Sequence, residues 1–103
     1  MVKIEFATQA LEDIDALIEF WAPLNEQTAK FLVQRIRTRV ESLRLFPRIG
    51  RVVPELDYPN VREIIEGRYR IVYHLISEEK ISVITVHHSS RPLDVEDLKP
   101  APF

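Results

Sequence analysis

Three histidines and a dense run of arginines are the residues of this chain whose types could do chemistry. His87 and His88 are adjacent in a β-branched stretch, Ile81 to His88, that predicts a strand. They therefore point to opposite faces, and only one of them can share a face with a given arginine of the sheet. An imidazole beside guanidinium groups suits RNA cleavage: a 2′-hydroxyl attacks the adjacent phosphate, arginines stabilise the added charge and the histidine moves protons. A histidine at a strand end serves packing or edge-capping just as well. His74 falls in a different predicted strand, so the three histidines do not offer the convergent ligands that zinc needs; no metal and no other cofactor is expected. Cysteine is absent, which excludes disulfides, thiolate metal sites and a cysteine nucleophile.

The arginines are concentrated. The formal charge of −2 hides a block, residues 30–51, in which Lys30, Arg35, Arg37, Arg39, Arg44, Arg48 and Arg51 face Glu41 alone. Residues 1–29 carry only Lys3 against six acids. Such a block is either a solvated helix face or a docking surface for an acidic partner or phosphates.

The elements that must position these groups follow from apolar spacing. Val2, Ile4 and Phe6 alternate with Lys3 and Glu5, a short half-buried strand. Leu11, Ile14, Leu17, Ile18 and Trp21 recur at three and four, predicting an amphipathic helix with Thr8 as its cap, Glu12 and Asp13 near its positive end, and a stop before Pro23. Asn25 is a good cap for a second helix from Glu26, whose stripe of Ala29, Leu32, Val33, Ile36, Val40 and Leu43 continues to about Phe46, where Pro47 ends it. Arg35 and Arg39 then lie one turn apart, with Arg37 and Arg44 on a neighbouring line, so the basic block becomes a ridge on a rigid rod. Residues 47–60 hold three prolines and a glycine and read as an ordered surface loop. Val61 to Glu66, Tyr69 to Ile76 and Ile81 to His88 form an antiparallel meander, with Gly67 at positive φ in the first hairpin.

At 103 residues, with an ordinary balance of 46% hydrophobic and 29% charged residues, the chain suits one globular domain. That domain is expected over residues 1–93, with a loosely held C-terminal tail over 94–103. The missing cysteines, the absence of an apolar run after Lys3 and the lack of a stretch approaching the roughly 20 apolar residues of a membrane span point to a cytoplasmic protein with no membrane partner.

A longer pattern joins these pieces: Pro47-x-x-Gly50-Arg51-x-Val53-x-Glu55, then Arg62-Glu63, Gly67-x-Tyr69-Arg70-Ile71-x-Tyr73, and Val86-x-His88 with Arg91 beyond. Taken alone, the residues read as structure. Gly50 allows a tight turn, Tyr69 and Tyr73 fill the sheet–helix core with their hydroxyls at its edge, and Arg62, Arg70 and Glu63, on adjacent strands, can form a cross-strand ion pair worth ~0.2 to 1 kcal/mol where exposed. In order and spacing, from the first strand to Arg91, the string resembles the RelE/ParE toxin superfamily, in its plasmid-stabilisation, ParE-like branch. The resemblance implies an α+β fold, β-α-α-β-β-β, with a helical hairpin on a mainly antiparallel sheet.

It also implies the toxin of a type II toxin-antitoxin module, neutralised by a cognate antitoxin, that poisons DNA gyrase by binding and meets operator DNA only through the antitoxin. Arg35, Arg37, Arg39 and Arg44 are then the expected antitoxin-binding residues. The alternative branch, RelE-like endoribonucleases that cut mRNA on the ribosome, would make Arg62, Arg70, His88 and Arg91 the catalytic candidates, with His87 in reserve. Against that branch stand the missing lysine cluster before the meander, the missing tyrosine after His88 and a pI near 5.9. A third possibility is an inactive relative that acts only in complex formation and autorepression.

Overall fold

The computed structural model describes residues 2–94 and Leu98. Its elements are β1 (Lys3–Phe6), α1 (Thr8–Trp21), α2 (Glu26–Glu41), a 3-10 turn (Ser42–Arg44), β2 (Arg51–Val52), β3 (Val61–Glu66), β4 (Tyr69–Ser77) and β5 (Lys80–His88). The strands form one five-stranded sheet in the order β1-β5-β4-β3-β2. β1 runs parallel to β5 and every other neighbour is antiparallel, which is the expected α+β architecture.

One strand was not expected. The Pro47–Asn60 loop contains β2, whose Arg51 and Val52 pair with Glu63 and Arg62 of β3. Two residues flanked by prolines carry too little period-2 signal to register as a strand, and their pairing depends on side chains from β3 and β4 described below.

Both helices lie on one face of the sheet. Ala10 and Leu17 of α1, Ile36 and Val40 of α2, Leu43, and Ile64, Ile71, Tyr73, Ile81, Val83 and Val86 of the strands make the main core. A smaller cluster occupies the opposite, outer face, where Val53, Val61, Val72 and Ile84 pack with Leu93 and Leu98. These two leucines are 8% and 0% exposed, and Leu98 belongs to the expected 94–103 tail. The other tail residues, 95–97 and 99–103, lie outside the described residues.

The helix ends differ from expectation in instructive ways. Thr8 is inside α1; the cap is Ala7, which makes no side-chain bond and is fixed instead by its amide donating to the Val83 carbonyl at 2.9 Å. Asp13 does not serve the helix end. Its Oδ2 accepts from the Val86 amide at 2.9 Å and from the Thr85 hydroxyl, and so satisfies the edge of β5 where β1 has ended. Asn25 caps α2 as expected, accepting from the Thr28 amide at 3.1 Å. That helix tightens into a 3-10 turn after Glu41 rather than running to Phe46, with Ser42 Oγ donating to the Arg39 carbonyl at 2.6 Å.

Candidate functional site

On the outer face, β2, β3, β4 and the loop after β2 bring four charges into a continuous chain. Glu63 is 1% exposed. Its Oε1 accepts from Arg70 Nε at 2.6 Å and its Oε2 from Arg51 Nε at 2.5 Å. The two Nη groups of Arg70 clamp Glu55 at 2.7 and 2.8 Å, a bidentate pair. Hydrogen bonding to Arg70 holds the Glu55 carboxyl well below the usual range, at about 2, and the same carboxylate raises the Arg70 guanidinium. The cross-strand pair expected from sequence is therefore part of a network built on a buried carboxylate, and its third member is Arg51 rather than Arg62.

On the helix side of the sheet the same loop is buttoned down a second time. Tyr73, wholly buried, accepts from the Gly50 amide at 3.0 Å and donates to the Pro47 carbonyl at 2.9 Å. Arg62 donates from Nη1 to the Gly50 carbonyl at 3.0 Å and reaches the Arg48 carbonyl at 3.4 Å. Gly50 is required by close approach rather than by a turn at positive φ: a Cβ there would stand 2.6 Å from the Glu63 carbonyl and 2.7 Å from the Tyr73 hydroxyl. Gly67, at φ 59°, is the positive-φ hairpin glycine that the sequence implied.

The string Gly50-Arg51, Glu55, Arg62-Glu63, Tyr69-Arg70, Tyr73 is thus a clasp that fixes the loop after α2 to the sheet. Sequence reasoning saw the spacing of Glu55, Glu63, Arg51 and Tyr73 but not their common purpose, since they meet only once the β3–β4 register is set.

The catalytic candidates separate. Arg70 sits on the outer face opposite His87 in the β4–β5 register, so the histidine held in reserve is the one beside it. The Nε2–H of His87 donates to the Arg91 carbonyl at 2.8 Å. Arg62 and His88 lie toward the helix side and at different levels. Arg62 is opposite Tyr73 and His88 is opposite Tyr69, a separation of about 13 Å at ~3.3 Å per residue along β4. Arg91 is exposed beyond β5. His74, on β4, has its imidazolium disfavoured by burial. Among the described residues no group of three or more histidines and carboxylates is placed to hold a metal ion.

The arginine ridge is also divided. Arg35 Nε is 3.2 Å and Arg39 Nε 3.9 Å from the two oxygens of Glu66, tying α2 to the end of β3. Arg44 is paired with Glu41 at 2.7 Å and donates to the Val2 carbonyl at 2.8 Å, which anchors the chain leading into β1. Arg37 makes no hydrogen bond or ion pair among the described residues. It stands at the rim of an apolar groove between the helices.

That groove arises because the α1 stripe is only half covered. Leu17 faces the sheet, whereas Leu11 and Ile18 remain 51% and 37% exposed. With Ile14, Val33 and Val40 they wall two joined hollows of about 480 and 440 Å³, both bordered by Arg37. This leaves an apolar face exposed on the helical hairpin, while the outer-face network ties its guanidinium groups to carboxylates with His87 opposite Arg70.

Comparison with known proteins agrees with this frame. A structure from the chromosomal ParDE toxin-antitoxin system of P. aeruginosa is similar over 85% of this chain and 96% of that one, with a TM-score of 0.69 and 21% identity, a likeness of fold. No curated protein matches the chain. The family model described as the ParE toxin of the type II toxin-antitoxin system, parDE, matches residues 4–93, from β1 through the arginine and the buried leucine that follow β5. The chain belongs to the ParE toxin family of type II toxin-antitoxin systems.

Proposed function

We propose that this protein acts by binding rather than by catalysis: a ParE toxin that disables DNA gyrase in the cytoplasm, is neutralised by a cognate antitoxin, and meets operator DNA only through that antitoxin. The observation that carries the reading is the continuous Arg51–Glu63–Arg70–Glu55 chain. Each of the three nitrogens of the Arg70 side chain already donates to a carboxylate, so a scissile phosphate would compete with Glu55 and Glu63 for that guanidinium. The inter-helix groove with Arg37 at its rim supports a polypeptide neutraliser with apolar anchors and an acidic flank. The test is a supercoiling assay with purified gyrase. Inhibition by the toxin that is relieved by the antitoxin supports the proposal, and undisturbed supercoiling at saturating toxin rejects it.

A second reading is favoured by one observation, the register pairing of Arg70 with His87, which puts a cation and an imidazole side by side on the outer face. A RelE-like endoribonuclease acting on ribosome-bound mRNA would use that pair. Primer extension on translated mRNA decides it: cleavage that disappears in both Arg70→Ala and His87→Ala would replace the gyrase reading.

A further inference from the structure

A separate pocket lies on the other flank of α1, and it shares no residue with the inter-helix groove. It encloses about 290 Å³ where the end of α1 meets β4 and the residues beyond β5. Its walls are two edge-to-face ring pairs. Phe20 and Trp21 have centroids 5.3 Å apart at 85°, and Tyr69 and His88 lie 5.1 Å apart at 88°. Phe20 leaves 63% of its surface in water, an expensive exposure for a benzyl group at the mouth of a hollow.

The polar groups at the opposite end are donors. His88 Nδ1 receives the Ser90 amide at 3.2 Å and the Ser90 hydroxyl at 2.7 Å. The Ser90 amide can only donate, so Nδ1 is an acceptor and the ring N–H belongs on Nε2, which becomes a donor in turn. Arg91, also lining the pocket, has no ion pair among the described residues. The acid in the wall, Asp13, is not a receiver, because its oxygens already accept from the Gln9 amide, the Thr85 hydroxyl and the Val86 amide.

We propose that this pocket anchors a partner polypeptide, taking one aromatic side chain against Phe20, Trp21 and Tyr69 and the carboxylate of a neighbouring acidic residue on Arg91 and His88. Charge selects the class of ligand. One guanidinium without an ion pair among the described residues and one imidazole N–H suit a single carboxylate. The exposed surface of α1 carries Glu12, Asp15 and Glu19, which disfavours a continuous run of phosphates more than a single carboxylate. Aromatic residues held in a small pocket are the usual energetic centres of protein interfaces, and an adjacent cation sets direction and register. The site does not depend on which enzyme the toxin disables.

Trp21 is the single tryptophan of the chain, so its fluorescence reports on this pocket directly. The full-length toxin is titrated with N-acetyl-Phe-Asp-amide, with N-acetyl-Ala-Asp-amide and AMP as comparisons. A saturable Trp21 response to Phe-Asp is expected, weakened roughly fivefold or more when the ring is removed from the peptide. The response weakens roughly threefold in Arg91→Gln. Phe20→Ser abolishes it, while both variants keep the wild-type circular dichroism spectrum and a cooperative melt, because both side chains are exposed. No saturable response up to the solubility limit of the peptide overturns the proposal, as does AMP binding at least as tightly as Phe-Asp, or Arg91→Gln binding as the wild type does.

Discussion

The phenolic oxygen of Tyr73 stands between two backbone groups of one loop, 3.0 Å from the Gly50 amide that donates to it and 2.9 Å from the Pro47 carbonyl that it serves. One hydroxyl therefore fixes the chain after α2 against the centre of the sheet. Tyr73→Phe keeps the ring and strands a buried amide, which costs ~1 to 3 kcal/mol. A fall in melting midpoint of roughly 5 to 15 °C by circular dichroism is expected. An unchanged midpoint would mean that water serves both groups and that the loop is not held this way.

Gly50 has the complementary role. Adding one methyl there brings Cβ to within 2.6 Å of the Glu63 carbonyl, a backbone atom that cannot rotate aside. Gly50→Ala is expected to cost ~1 to 3 kcal/mol by overpacking and to release the β2–β3 pairing first. Faster hydrogen exchange confined to residues around Arg51 and Val52 is the signature to look for.

The buried carboxylate gives the largest effect. Glu63 is wholly enclosed with Arg70 beside it at 2.6 Å, whereas Arg51, its other partner, is 63% exposed and contributes less. Arg70→Leu leaves Glu63 with only the solvated partner and is expected to destabilise by ~3 to 5 kcal/mol in urea unfolding. Exchanging both residues for an apolar pair of similar volume restores most of that loss. A double variant as unstable as the single would deny that charge desolvation is the cause.

Acid sensitivity should trace to Glu55. In the unfolded chain its carboxyl takes a proton near pH 4.5, while Arg70 holds it ionised in the folded protein down to about 2. Between those values the unfolded state binds more protons, so the stabilisation present above pH 4.5 is lost as pH falls toward 2. Glu55→Gln is expected to flatten this part of the stability–pH curve and to leave its shape above pH 5 alone. A curve of unchanged slope between pH 4.5 and 2 would refute the assignment.

The ridge arginines can be sorted by a pair of variants. Arg37→Glu breaks no hydrogen bond or ion pair among the described residues and adds only a like charge one turn from Glu41, so its stability should stay within about 0.5 kcal/mol of wild type while antitoxin affinity drops. Reversing Arg35 and Arg39 sets two acids against Glu66, whose side chain is only 13% exposed, and lowers stability as well as affinity. Calorimetry beside thermal melts separates the two cases; full antitoxin affinity in Arg37→Glu would remove that residue from the interface.

The helices and the meander were legible because their apolar periods are long and uninterrupted: the α2 stripe and the β3–β5 runs lie where the spacing puts them. What escaped depended on tertiary placement. Thr8 looked like a cap, but Ala7 is held by β5 and needs no side-chain acceptor. Leu11 and Ile18 share the α1 stripe with Leu17, yet only Leu17 faces the sheet, and no one-dimensional pattern distinguishes a stripe buried by its own fold from one left open. The candidate site was legible as a string and not as a shape. Alternation alone puts Arg62 and Glu63 on opposite faces, but which of them meets Arg70 is settled by register, and the choice between His87 and His88 follows from the irregular pairing between Val72 and Tyr73.

The first ribbon of the chain has no neighbour but the last: β1 lies against β5 alone, with everything else threaded between them. A nascent polypeptide can coil its two rods early, yet it has nowhere to lay residues 3–6 until residues 80–83 have been made. The sheet thus closes only after residues 80–83 have been made. Chains halted before Lys80 should be digested readily by protease, and a ribosome part-way through the message carries no finished poison.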